Sequence, residues 1–122
     1  LVLYSYPAKD GVDIGFQLLD HFAENPRVIG IKESSGVLQR AIDISSRYKG
    51  KIQLVSGSDD IALDFMFWGA DSWICGPSNC MAQACCDLDR AYKAGEMDKA
   101  REMMKKLYRI RSMKLPNASS FY

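Results

Sequence analysis

The sequence predicts an α/β fold built on a parallel sheet, and three observations carry that expectation. Four short apolar runs, residues 1–6, 28–32, 52–55 and 72–75, start 20–27 residues apart. Between them apolar residues recur at helical spacing. Each run leaves through a polar segment containing glycine or serine, so strand and helix alternate. Alternation of this kind argues for parallel strands joined by right-handed crossovers. Two architectures satisfy the order: a small open doubly wound sheet, and half of an eight-fold (β/α) barrel. In both, a site forms at the carboxyl ends of the strands, where the exit loops gather.

The first run, 1–6, reads as a buried strand that Pro7 and the turn-forming Lys9-Asp10-Gly11 bring to an end. Ile14, Leu18, Leu19 and Phe22 then mark a helix through Ala23, stopped by Asn25-Pro26. Residues 28–32 are continuously apolar up to Lys32, the pattern of a strand covered on both faces. Ser34-Ser35-Gly36 leads into a helix over 37–48 with Leu38, Ala41, Ile42 and Ser45 on its inner face, closed by Lys49-Gly50. A third strand, 52–55, exits through Ser56-Gly57-Ser58-Asp59-Asp60 into a short apolar helix over 61–68. The fourth, 72–75, exits through Gly76-Pro77-Ser78-Asn79 into helices over 81–94 and 96–111, the last with Met97, Ala100, Met104 and Leu107 inward. Residues 1–112 therefore form one α/β region, and 113–122 read as an irregular tail or the start of a further segment.

With 122 residues and 48% hydrophobic content the chain can bury a core. Sixteen basic residues against 15 acidic ones leave a net charge of +1, which gives no basis for holding nucleic acid. No apolar run reaches the roughly 18–20 residues of a membrane span, and no secretory signal opens the chain, so a cytoplasmic protein is expected. The chain begins without methionine, inside a strand, as a piece of a longer polypeptide would. Cys75, Cys80, Cys85 and Cys86 form no CxxC and have no histidine nearby, which favours reduced, packed thiols over a metal site.

Lys32 is the residue on which a chemical reading turns. At pH 7 about one lysine in 2500 carries the free amine that attacks a carbonyl, but an apolar setting lowers the pKa by up to roughly 3–5 units. Alternation puts Gly30 and Lys32 on one side of the strand, with Gly30 expected to leave space beneath the lysine, and Tyr4 can face the same cavity. A lysine with a tyrosine hydroxyl is the equipment for imine chemistry, in which carbinolamine formation, dehydration and carbon protonation each move a proton. No metal or cofactor is needed, because the protonated imine is itself the electron sink.

The stretch Leu3-Tyr4-Ser5-Tyr6-Pro7-Ala8-Lys9-Asp10-Gly11, followed by Gly30-Ile31-Lys32-Glu33-Ser34-Ser35-Gly36 with its lysine 28 positions after Tyr4, closely resembles the dihydrodipicolinate synthase/N-acetylneuraminate lyase family of class I aldolases. Ser56-Gly57-Ser58-Asp59-Asp60 and Ile74-Cys75-Gly76-Pro77-Ser78-Asn79 fall where that family's seventh and eighth strand exits belong. The resemblance implies a TIM (β/α)8 barrel, of which this chain is the second half, strands 5–8, plus one helix. It implies that Lys32 forms a Schiff base with pyruvate or a similar 2-oxo acid, that Tyr4 relays protons, and that Gly57 and Ile74 line the pyruvate pocket. Lys9 sits where some members place an arginine for the second substrate's carboxylate, and Ser58, Asp59 and Asp60 lie where sugar-acid lyases hold substrate hydroxyls. A homo-oligomer, dimer or tetramer, is implied as well. Ser5 replaces the asparagine of many members, which points away from dihydrodipicolinate synthesis and toward a hydroxy-oxoglutarate-type aldolase.

Each of these residues also has a structural reading. Tyr4 alone fits a core or interface position, Ser58, Asp59 and Asp60 can cap the next helix, and Lys9 can be a solvated turn residue. Ser78 and Asn79 read as N-caps, and Ser34 and Ser35 as the start of a helix. His21 reads as a surface residue, Trp68, Trp73 and the methionines as packing, and the basic residues from Lys99 to Arg111 as a solvated helix face. The expected function is a Schiff-base lyase or aldolase, with a dehydratase, deaminase or dihydrodipicolinate synthase of the same family as the alternative. A non-catalytic half-barrel or assembly module is the competing class.

Overall fold

The structure, a computed structural model, describes residues 1–112; the expected tail at 113–122 lies outside the described residues. Two compact units divide it, Leu1–Ile74 and a second that starts at Cys75. The first contains β1 (Val2–Ser5), α1 (Pro7–Asp10), α2 (Phe16–Ala23), β2 (Gly30–Glu33), α3 (Leu38–Arg47), β3 (Gln53–Ser56), a 3-10 turn at Asp59–Ile61, α4 (Ala62–Phe67) and β4 (Ser72–Trp73). The strands are parallel, and their spatial order follows the chain: β1-β2-β3-β4. A doubly wound sheet needs a reversal of strand order, so this sequential winding removes that alternative.

Leu19 of α2, Ala41 and Ile44 of α3 and Phe65 of α4 pack with Ile31 and Leu54 of the sheet into one buried cluster. Each large apolar side chain removed from water there contributes about 1.5–3 kcal/mol. The opposite sheet face is open: Val2, Tyr4 and Ile74 are all exposed. The continuous apolar character of 28–32 led us to expect cover on both faces, and within this chain only one face has it. In α3 the fully buried residues are Ala41 and Ile44, with Tyr48 just beyond, whereas Ile42 is half-buried on the flank. Burial here follows i, i+3, i+7, one step round the helix from the expected stripe.

Where a turn was expected after β1, Pro7 instead starts the single-turn helix α1. Gly11 ends it in the left-handed region at φ 69°, its N–H returning to the Pro7 carbonyl. Ile14 lies before α2 rather than in it, because Gly15 is extended and serves as N-cap. Tyr48, just past α3, donates its phenol proton to the Asp20 carboxylate at 2.8 Å, with the Phe16 carbonyl 3.2 Å from the same oxygen. Burial, followed by the bond to Asp20, pushes its phenol up to about 12.

The second unit contains α5 (Ser78–Lys93) and α6 (Met97–Ser112), which bury Leu88, Ala91, Ala100 and Leu107. A kink at Met81 separates the first residues of α5 from the remainder, which matches the start expected at 81. Ser78 and Asn79 are not N-caps; their side chains donate backwards to the carbonyls of Cys75 and Gly76. Cys80 and Cys86 are free, exposed thiols rather than packed ones, while the Cys75 and Cys85 sulfurs approach to 3.4 Å. Lys99, Arg101 and Lys105 pair with Glu96, Asp98 and Glu102 one turn back, so these cations are tied up along the helix. Among the described residues no helix is long and apolar enough to cross a membrane.

Candidate active site

Parallel pairing sets Tyr4 opposite Lys32 and Lys32 opposite Val55, while Ser5, Glu33 and Ser56 form the next row. Residues paired in this way share a face, so Tyr4, Lys32 and Val55 lie on the open side and the second row on the helix side. Lys32 Nζ stands over the Tyr4 ring, 4.2 Å from its centroid, and the Tyr6 ring lies 6.1 Å from that of Tyr4. An amine and a phenol from adjacent strand exits thus share one face of the sheet.

Space for the lysine comes from Gly57, not from Gly30. A Cβ at Gly57 would fall 1.9 Å from Ser34 Oγ and 3.0 Å from Lys32 Cε, so only glycine lets the lysine run past β3. A Cβ at Gly30 would instead meet the Gln53 carbonyl oxygen at 3.0 Å. The hydroxyls of Ser34 and Ser5 are buried with no hydrogen-bond partner among the described residues. Ser34, which reads from sequence as a helix starter, is thereby a polar group beside the lysine stem. Its backbone N–H donates to the Ser5 carbonyl at 2.9 Å and so carries the β1–β2 ladder one step beyond the strands.

Behind the lysine, on the helix side, Glu33 is fully buried. Its carboxylate accepts from the Ser35 N–H at 2.7 Å and from Arg40 Nε at 2.6 Å. Arg40 also donates to the Ile14 carbonyl and pairs with Asp13 at 3.3 Å. Sequence reasoning assigned no role to this cluster. Its signal was an acidic residue on the face of β2 that the helices cover, seven positions ahead of an arginine.

The chain matches the model of the Dihydrodipicolinate synthetase family over residues 1–120. It belongs to that family. It is 31% identical over 117 residues to the 4-hydroxy-tetrahydrodipicolinate synthase of Trichlorobacter lovleyi, covering 96% of this chain and 39% of that protein. Among solved structures it is similar to the catalytic lysine mutant of Ruminococcus gnavus sialic acid aldolase, at 25% identity and a TM-score of 0.91, covering 99% of this chain and 40% of that one. It is also similar to the chloride-inhibited dihydrodipicolinate synthase of Acinetobacter baumannii in complex with pyruvate, at 27% identity and a TM-score of 0.83, over 96% and 41% of the two chains. The chain spans about two fifths of the length of the curated relatives it matches.

As a member of the dihydrodipicolinate synthetase family, the chain puts its other expected site residues in varied settings. Ile74 follows β4, is exposed, and donates its N–H to the Ser56 carbonyl at 3.0 Å. Continuing the ladder places it by alternation on the Lys32 face. Lys9 is exposed on α1 and Asp60 on the 3-10 turn. Asp59 is buried and accepts from the Trp73 indole at 3.1 Å, an arrangement that ties the turn to β4. Ser58 precedes that turn without a side-chain cap bond. A cleft of about 610 Å3 lined by Val28, Ile29, Ile52 and Asp71 opens at the amino ends of the strands, the end opposite the lysine.

Proposed function

We propose that this chain is the second half of a TIM (β/α)8 barrel and carries the Schiff-base machinery of a lyase or aldolase acting on pyruvate or a related 2-oxo acid. The observation that carries the reading is Lys32 Nζ above the Tyr4 ring at the strand exits, in a chain of this family. The neighbour known as a sialic acid aldolase has a catalytic lysine, and a dihydrodipicolinate synthase neighbour is complexed with pyruvate. Both support a lysine-bound 2-oxo acid here.

In the proposed reaction the Lys32 amine adds to the C2 carbonyl of a 4-hydroxy-2-oxo acid. The carbinolamine hydroxyl then leaves as water with the Tyr4 phenol proton, which gives the iminium and the Tyr4 phenolate. Tyr4 accepts the proton of the C4 hydroxyl, the C3–C4 bond breaks, and its electron pair moves into the iminium to give an enamine and a free aldehyde. Tyr4 returns the proton to C3, and water hydrolyses the imine to pyruvate and the amine. Ser34 Oγ, buried beside the lysine stem and without a partner, is available to the carbinolamine oxygen. Gly57 and Ile74 border the 2-oxo acid in this reading, while Lys9, Ser58, Asp59 and Asp60 meet the distal part of the substrate.

The test measures pyruvate release from 4-hydroxy-2-oxoglutarate and from sugar-derived 2-oxo acids by the full-length protein. The expected result is turnover that Lys32→Arg abolishes while the fold is retained. Elimination of water or ammonia without carbon–carbon cleavage would favour the dehydratase or deaminase alternative. Condensation of pyruvate with an aldehyde followed by cyclisation would favour a synthase.

A further inference from the structure

We infer that Arg40 is a positioning residue that clamps the exits of the lysine-bearing and tyrosine-bearing strands together from behind the site, an inference that rests on the Schiff-base reading above. Arg40 belongs to α3. Its guanidinium reaches two places. Nε meets Glu33, the residue after Lys32, at 2.6 Å, while Nη2 meets the Ile14 carbonyl and the Asp13 carboxylate. Asp13 and Ile14 end the segment that leaves β1, the strand holding Tyr4. The guanidinium also lies 5.4 Å from the Phe16 ring, which restricts its swing from the α2 side.

Glu33 has its own second tie. Its other carboxylate oxygen takes the Ser35 N–H at 2.7 Å, folding the loop after β2 back over the strand end. Lys32 is therefore followed at once by a residue whose side chain is fixed at both oxygens and fully buried. One arginine thus links the backbone just past Lys32 with the chain that follows Tyr4, across a pair of strands already in register at those two residues. The planar fork of arginine can serve both anchors at once; a lysine ammonium is a point charge that suits one.

A stabilising role alone does not account for the arrangement. An ion pair with one partner fully buried and the other 12% exposed is weak evidence of stability, because apolar residues of similar volume often serve as well or better. What the pair supplies is geometry, and it supplies it at the carboxyl end of β2, where misplacing a reacting group by about 1 Å can cost on the order of 100-fold in rate.

The experiment uses the full-length protein and follows borohydride trapping of pyruvate as a function of pyruvate concentration, giving a saturating rate and a half-saturating concentration for wild type, Arg40→Lys, Arg40→Met and Glu33→Gln. A circular dichroism melt accompanies each. The saturating rate is expected to fall about tenfold in Arg40→Lys and on the order of 100-fold in Arg40→Met, with the half-saturating concentration changed by less than about threefold. Lysine, which keeps the charge, thus rescues in part. Wild-type rates in folded Arg40→Met would overturn the positioning role, as would losses that merely track the unfolded fraction. If Arg40→Met does not fold, equal saturating rates in Arg40→Lys, Glu33→Gln and wild type overturn it instead. A wild-type protein that traps nothing at Lys32 would sink the aldolase reading first and the positioning role with it, a result distinct from the other two.

Discussion

Gly57 and Lys32 depend on each other residue by residue. A Cβ at position 57 would collide with Ser34 Oγ at 1.9 Å and crowd Lys32 Cε at 3.0 Å. Gly57→Ala is therefore expected to force one of them aside, at about 1–3 kcal/mol of stability, and to slow adduct formation as well. Urea unfolding and the trapping rate check the two effects together; an alanine variant with wild-type behaviour in both would show that the space is larger than the geometry implies. Tyr4 makes a different demand. Tyr4→Phe keeps the ring under the amine but removes the proton carrier, so turnover should fall by about 10²–10⁴-fold while pyruvate can still reach Lys32. Wild-type turnover in Tyr4→Phe would instead leave the ring with a packing role alone.

Among the elements, α3 does most to hold the site in place, and its end provides a pH signature. Tyr48 keeps its phenol proton in the folded state up to about pH 12, against 10.0 for the ordinary group, because it is buried and bonded to Asp20. Between those values the unfolded chain has lost a proton that the folded chain retains, so stability should fall as pH rises through that window and be fully present below it. Urea titrations at neutral pH and near pH 11 should register the loss in wild type and a smaller one in Tyr48→Phe. A third change on α3, Ile44→Ala, should cost about 2–5 kcal/mol, since Ile44 is fully buried against the sheet. Neither residue was on the helix face assigned from sequence. Leu38, Ala41, Ile42 and Ser45 fit a helical period as well as the true stripe does, and period alone does not say which flank the sheet takes. The order of strands and helices was legible because apolar runs and polar exits alternate so regularly. Lys32, Tyr4 and Gly57 were legible because they sit in two recognisable strand-exit motifs. Arg40 was not, because its partners Glu33 and Ile14 are 7 and 26 positions away and only the packing of α3 brings them together.

Within Leu1–Ile74 the sheet is wound in one direction, packs α2, α3 and α4 on one face and leaves Val2, Tyr4 and Ile74 exposed on the other. β1 and β4 each have one edge with no strand partner among the described residues. Such edges and an open apolar face promote pairing with further strands, so the 122-residue chain alone should elute from size exclusion as an associated species, whereas the full-length protein should not expose these edges. A monodisperse monomer of the isolated chain would argue against the half-barrel. Every proposed catalytic step passes through the Lys32 amine, which peptide mapping of the full-length protein after incubation with pyruvate and borohydride tests. The expected result is a single reduced three-carbon adduct on Lys32; an adduct on any other lysine, or none, would contradict it.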